Sequence, residues 1–221
     1  MALRDNLREI HERISAAARR SGRNENDITL ICVSKTVDIS TINEAVSLGE
    51  HTFGENRVQE LTEKYPLADP GACWHLIGHL QTNKVKYAVG KASLIHSVDS
   101  SHLAKEIDKQ AKKAGIIQDI LIEVNISGEE SKYGLTIEQI PTIIKEVEAM
   151  ENLCFKGFMT MAPLDASPQE IRSIFAEAKR LFDDYTPYGA KILSMGMSGD
   201  FEIAVEEGAT HVRVGRSIFK K

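Results

Sequence analysis

Cysteine is scarce in this chain: Cys32, Cys73 and Cys154 are the only three in 221 residues. They are far apart and odd in number, which excludes the disulfide framework of a small secreted domain. Each lies in an apolar stretch and is expected as a small buried hydrophobe in a reducing compartment. Long hydrophobic runs are missing too. None approaches the roughly 18 apolar residues of a membrane span. The N-terminal MALRDNLREIHERISAAARR is charged throughout and lacks the apolar segment of a signal peptide. The expectation is a cytoplasmic protein with no membrane partner. Basic charge is not in excess: 27 Lys+Arg against 32 Asp+Glu leave −5. That is a poor basis for binding nucleic acid, which needs cations to neutralise phosphates. No Pro/Gly/Ser-rich linker or charge block divides the sequence, so residues 1–221 are expected to form a single domain.

What is present is alternation. Leu3, Leu7, Ile10 and Ile14 recur at helical spacing and predict a helix over 2–20. Short apolar, β-rich segments then follow at 28–35, 51–56, 73–78, 93–100, 119–127, 153–161, 190–198 and 210–215. Helical stretches separate them. The helix at 39–49 has Ser40 or Thr41 as its candidate cap and Gly49 as its stop, and Pro141 falls in the first turn of another. Apolar runs without alternation suit parallel strands buried on both faces. Eight such units after an N-terminal helix predict an α/β fold, a (β/α)8 TIM-type barrel with an extra helix. The alternative, an open doubly wound sheet, has fewer strands and longer crossovers.

A barrel of this kind carries its site at the C-terminal ends of the strands. Lys35 ends the first strand. If desolvated there it offers a neutral amine for a Schiff base; if it has already emerged, it is a surface lysine. SMGMSGD (194–200) joins small residues and hydroxyls ahead of a helix, a pattern that fits either phosphate binding or capping by Ser198 or Asp200. Gly215, after the eighth strand, sits similarly. Arg213 is a guanidinium inside an apolar strand and needs a partner. Cys73, His75 and His79 do not form a recognised ligand spacing, and no second cluster completes a metal site. His75 and His79 are expected to line or cap the site. Lys132, beside Glu129 and Glu130, is expected as a solvated ion pair. A lysine, a phosphate cradle and a buried arginine around one mouth describe a site for pyridoxal 5′-phosphate (PLP).

The sequence resembles the pyridoxal phosphate homeostasis proteins, small barrels similar to the N-terminal domain of alanine racemase. The resemblance rests on VSKT (33–36), FGENRVQE (53–60), WHLIGHLQTNK (74–84), NISGEESKYG (125–134), GFMTMAP (157–163), LSMGMSGD (193–200) and VRVGRSIF (212–219), in order across nearly the whole chain. It implies a covalent PLP aldimine on Lys35. It places Asn56 near the ring and His75 and Ile77 on the floor, with Ser194 and Met195 flanking the cofactor. Ser198, Gly215 and the backbone of Arg216 would hold the phosphate, and Arg213 would meet the pyridine nitrogen. Two departures are peripheral: Lys220 and Lys221 where the family commonly has glycine, and Val37-Asp38-Ile39 where it often has proline. The chain is expected to lack the racemases' second β-domain and its tyrosine, leaving an open cofactor face. The implied role is PLP carriage and vitamin B6 and amino-acid/2-oxo-acid balance, with PLP-dependent apo-enzymes as recipients. No long apolar helix face is left over in the sequence for a partner, so a monomer is expected. Two enzyme readings stand beside it. One is a low-activity amino-acid racemase, for which Tyr133 is the candidate second acid–base group. The other is a Schiff-base aldolase using Lys35 without cofactor.

Overall fold

The computed structural model describes residues 2–129 and 133–220; the expectation for Glu130 and Lys132 lies outside them. Eight parallel strands close into a barrel in sequence order. They are β1 (Thr29–Val33), β2 (Thr52–Glu55), β3 (Cys73–Leu76), β4 (Leu94–Val98), β5 (Gln118–Glu123), β6 (Leu153–Met159), β7 (Ile192–Ser194) and β8 (His211–Val214). Closure is made by β8 pairing β1, Leu30 against Val212 and Ile31 against Arg213. The helices among the described residues are α1 (Ala2–Arg20), α2 (Ile39–Ser47), α3 (Val58–Lys64), α4 (Val85–Ala88), α5 (Ser101–Ala114), α6 (Ile140–Glu148), α7 (Pro168–Asp184), α8 (Phe201–Glu206) and α9 (Arg216–Phe219). None is long and apolar enough to cross a membrane. The closed barrel replaces the open-sheet alternative.

The strands end earlier than the apolar runs predict, by up to four residues. Past Val33, Glu123, Met159 and Ser194 only one more N–H reaches the neighbouring strand, from Ser34, Val124, Thr160 and Met195, before the chain forms the loops of the mouth. Apolarity continues there because the loops cover the barrel end, so composition cannot mark the boundary.

The main core lies between sheet and helices and includes Leu30, Cys32, Phe53, Trp74, Ile120, Phe158 and Val212. A small second cluster, Leu94, Leu121 and Met159 with Met161 and Ile192, fills the barrel interior. The extra helix α1 buries Leu3, Leu7, Ile10 and Ile14. It is pinned to α8 by Arg13–Glu202 at 2.9 Å and Arg20–Glu206 at 2.7 Å. Asn6 reaches the Ile218 carbonyl of α9 at 2.8 Å. So α1 covers the wall formed by the short helices α8 and α9.

Two expectations are corrected. The cap of α2 is Asp38, whose carboxylate accepts from the Thr41 N–H at 2.8 Å; Ser40 and Thr41 donate to it instead of capping. Of the three cysteines only Cys32 is buried, while Cys73 is exposed and Cys154 half-buried. Cys73 opens β3 at the end of the barrel away from the mouth, where its Sγ meets Ser93 Oγ at 3.0 Å. Burial, with Glu50 nearby, holds the Cys32 thiol well above its ordinary range. Ser100 caps α5 through the Leu103 N–H. Ser100→Ala is expected to cost about 1 kcal/mol, read as a lower urea midpoint with unchanged slope.

Candidate functional site

In a parallel ladder alternate side chains face the barrel axis. Register pairs Ser194 with His211, and Ile31 with Arg213. His211, Arg213 and Ser194 therefore point inward together, at the end where the loops form the mouth. Arg213 is 4% exposed. Its guanidinium donates to Ser194 Oγ at 2.6 Å and to the Thr160 carbonyl at 3.0 Å. Ser194 Oγ lies 3.1 Å from His96 Nδ1, and His96 Nε2 lies 3.1 Å from His75 Nδ1. The chain closes without conflict when Ser194 donates to His96 and His96 donates on to His75. A polar relay thus crosses the barrel from β8 to β3.

Burial decides the charges in this relay. It lowers His75 to about 3, with help from His211, and His211 to about 4, and holds His96 well below its ordinary range. Burial also lowers Arg213, to about 10, against the pull of Asp200 and Glu123. At neutral pH the result is three neutral imidazoles beside one fixed cation. Glu123, at the end of β5, is 4% exposed and makes no side-chain hydrogen bond or ion pair among the described residues. Burial and Asp99 raise it to about 7, while Arg213 opposes.

These shifts carry a pH dependence. The depressed histidines stabilise the fold above their unfolded pKa of about 6.5 and lose that contribution as pH falls. Glu123 acts oppositely: its contribution is full below about 4.5 and is lost as pH rises through about 7. Between these limits three groups oppose one, so these four groups together make unfolding take up about two protons. Denaturant midpoints measured from pH 7 to 4.5 should fall with acid. His211→Gln should flatten the slope by about one proton; an unchanged slope would show that His211 is not held neutral.

Lys35 stands elsewhere on the rim. It is exposed, two residues beyond β1, so the desolvated reading gives way to the emerged one. It lines a groove of about 680 Å³ with Val33, Thr36, Gly215, Arg216 and Ile218. Among the described residues neither Lys35 nor Arg216 engages its side chain in an ion pair or hydrogen bond. At Gly215 an added Cβ would sit 2.9 Å from the Val33 carbonyl, so glycine lets the β8–α9 connection lie against β1. The Gly215 N–H donates to Ser198 Oγ at 3.4 Å. Neither Ser198 nor Asp200 caps α8 with its side chain; Asp200 accepts from the Met197 N–H at 2.5 Å.

The remaining residues divide. Ile77 and Ile31 press on Gly54, where a Cβ would meet both at 2.9 Å, which places Ile77 at the barrel floor with His75. Asn56 follows β2 and lines a separate cleft with His79, Gln81 and Lys84. Gly78 holds it there: an added Cβ would be 2.3 Å from the Asn56 carbonyl. Met195 is packed in the main core between sheet and helices, so only its backbone is available to a ligand. His79 lies 3.4 Å from Asp99 and stacks on Tyr133 at 4.1 Å, and Tyr133 is 58% exposed. Sequence reasoning missed His96, His211 and Glu123. The signal was there as period-two spacing, Leu94-His96-Val98 and His211-Arg213, within runs that read as uniformly apolar.

The family model of the alanine racemase N-terminal domain matches residues 2–221. The pyridoxal phosphate homeostasis protein of Aquifex aeolicus is 45% identical over 219 residues, 97% of this chain and 96% of that protein. Its namesake in Pseudomonas aeruginosa is 36% identical, over 97% and 94%. PipY of Synechococcus elongatus, solved with PLP bound, has a TM-score of 0.81 at 34% identity, covering 95% of this chain and 99% of that one.

Proposed function

Since the chain belongs to the alanine racemase N-terminal-domain family, and within it to the pyridoxal phosphate homeostasis proteins, we propose that it binds PLP and serves vitamin B6 and amino-acid/2-oxo-acid balance in the cytoplasm. The observation that carries this reading is the shared groove. Lys35, whose side chain makes no ion pair or hydrogen bond among the described residues, lines it together with Gly215 and Arg216, and the anchored cation Arg213 lies two residues before Gly215.

The residues present fit PLP. The Arg216 N–H, among the first amides of a helix that lack internal acceptors, suits its phosphate, and the Gly215 N–H and Ser198 hydroxyl, which now meet each other at 3.4 Å, would turn to it. Arg213 suits an acceptor nitrogen. His75, Ile77 and Ser194 would supply a floor and Met195 only main chain, while Asn56 would have to reach in from the neighbouring cleft. Bound PLP supplies an electrophilic aldehyde. Lys35 would hold PLP by that carbon, its amine being the nucleophile the groove supplies. Arg213, a cation at neutral pH, would meet the ring nitrogen as a donor and so disfavour a proton there, which would weaken the ring as an electron sink. That favours a carrier handing PLP to apo-enzymes over a catalyst, and we propose that it acts as a monomer. The racemase alternative needs a second acid–base group, and Tyr133 is exposed and occupied in stacking on His79.

The test is visible absorbance of the PLP-treated protein, then borohydride reduction and peptide mapping. A yellow protein with one pyridoxyl group fixed on Lys35 is the expected result. A colourless protein that takes up no PLP would sink the reading and return the aldolase alternative. Measurable α-proton exchange on amino acids would reinstate the racemase.

A further inference from the structure

The turn that carries Lys35 is held from outside the barrel. Val37 N–H donates to the Ser34 carbonyl at 2.9 Å, closing a four-residue turn with Lys35 as its second residue. Thr36, the third, has φ of +61°, in the left-handed region that turns ordinarily reserve for glycine and that a β-branched residue enters only under constraint. The constraint comes from β2 and α3. Glu60 accepts the Thr36 N–H at 2.8 Å. Lys64 Nζ donates to the Ser34 carbonyl at 2.8 Å, to Glu55 at 2.8 Å and to Glu60 at 3.2 Å. Ser34 Oγ donates to Glu55 at 2.7 Å. Glu55 is fully buried, and Lys64 is 11% exposed. The Thr36 N–H and the Ser34 carbonyl are thus held by Glu60 and Lys64.

A buried carboxylate–ammonium pair is a weak stabiliser, because desolvation consumes most of its attraction. Here its bonds converge on one strained turn whose second residue is the proposed PLP anchor. We propose that Glu55, Glu60 and Lys64 are positioning residues: they clamp the Ser34–Val37 turn so that the Lys35 amine is delivered in a fixed direction to the groove. The inference rests on the reading of Lys35 as the anchor, but the clamp itself is testable without cofactor. None of Glu55, Glu60 and Lys64 itself lines the groove around Lys35; they reach it only through their bonds to Ser34 and Thr36.

Glu60→Ala is the primary variant, since Glu60 is partly exposed and its loss leaves the Glu55–Lys64 pair intact. In the apo protein, amide exchange at Thr36 should accelerate by about tenfold or more as its acceptor disappears. The rate at which PLP becomes borohydride-fixed on Lys35 should fall by roughly tenfold. Affinity for pyridoxamine 5′-phosphate, which has the phosphate and ring but no aldehyde, should stay within about twofold of the parent, since uniform binding is untouched. Glu60→Gln keeps an acceptor and should restore both rates. Lys64→Met tests the second arm, and the double variant Glu55→Gln with Lys64→Met removes the buried charge where the single change fails to fold. Unchanged Thr36 exchange and unchanged capture in Glu60→Ala would overturn the clamp. Faster exchange with parental capture would show a structural tie that does not position Lys35, and would overturn it equally. Absence of pyridoxyl on Lys35 in the parent would reject the anchor itself, whatever the exchange shows.

Discussion

Lys35→Ala is expected to abolish the visible band and all borohydride-fixed pyridoxyl while leaving the barrel folded. Lys35 is exposed, beyond the last ladder bond of β1, and free of ion pairs among the described residues. Its truncation opens no cavity and strands no partner, so the stability change should stay within about 0.5 kcal/mol. The covalent link disappears outright. The groove backbone and Arg213 remain, so reversible binding should persist at an affinity lower by about tenfold or more. Absorbance titration and equilibrium dialysis on one sample separate the two effects. A persisting band, with pyridoxyl mapped to another lysine, would remove Lys35 from the site.

Arg213→Glu is expected to change both the spectrum of the PLP-loaded protein and the stability of the fold. Two bonds from Arg213, to Ser194 Oγ and to the Thr160 carbonyl, tie β8 to β7 and to the end of β6. A carboxylate there accepts where Arg213 donates, leaving the Thr160 carbonyl without its donor. It also enters a buried space near Asp200 and Glu123, both already raised by burial. Uncompensated charge in such a place costs on the order of 3–5 kcal/mol. The loss should be largest at neutral pH and shrink as acid protonates the carboxyls. On the cofactor side, a carboxylate favours a proton on the ring nitrogen, which shifts the absorption maximum. Arg213→Lys keeps the charge without the planar fork, so it should retain the parental protonation with weaker binding. A parental spectrum in folded, PLP-loaded Arg213→Glu would show that Arg213 does not face the ring.

Local pattern carried the element order. The helical spacing of Leu3, Leu7, Ile10 and Ile14 and the eight short apolar runs need only near neighbours to be read, because helix and strand periods are local properties of the backbone. Lys35, Arg213, Ser198 and Gly215 were legible for a related reason: each is a polar or bare residue at the end of an apolar run, and in a parallel barrel strand ends share one face. What the chain alone left open is long-range. Whether Lys35 is desolvated depends on where β1 ends against its neighbours, and the ladder ends at Val33. Closure through the β1–β8 pairing joins residues about 180 positions apart. The relay His75–His96–Ser194–Arg213 draws on four strands, and the Glu55–Glu60–Lys64 clamp exists only because α3 folds back over the turn after β1. Sequence by itself determined which residue types stand at the strand ends. Tertiary structure decided which of them meet, which are buried and so which carry charge, because desolvation and hydrogen-bond partners come from segments that are distant in the chain and adjacent only in the closed barrel.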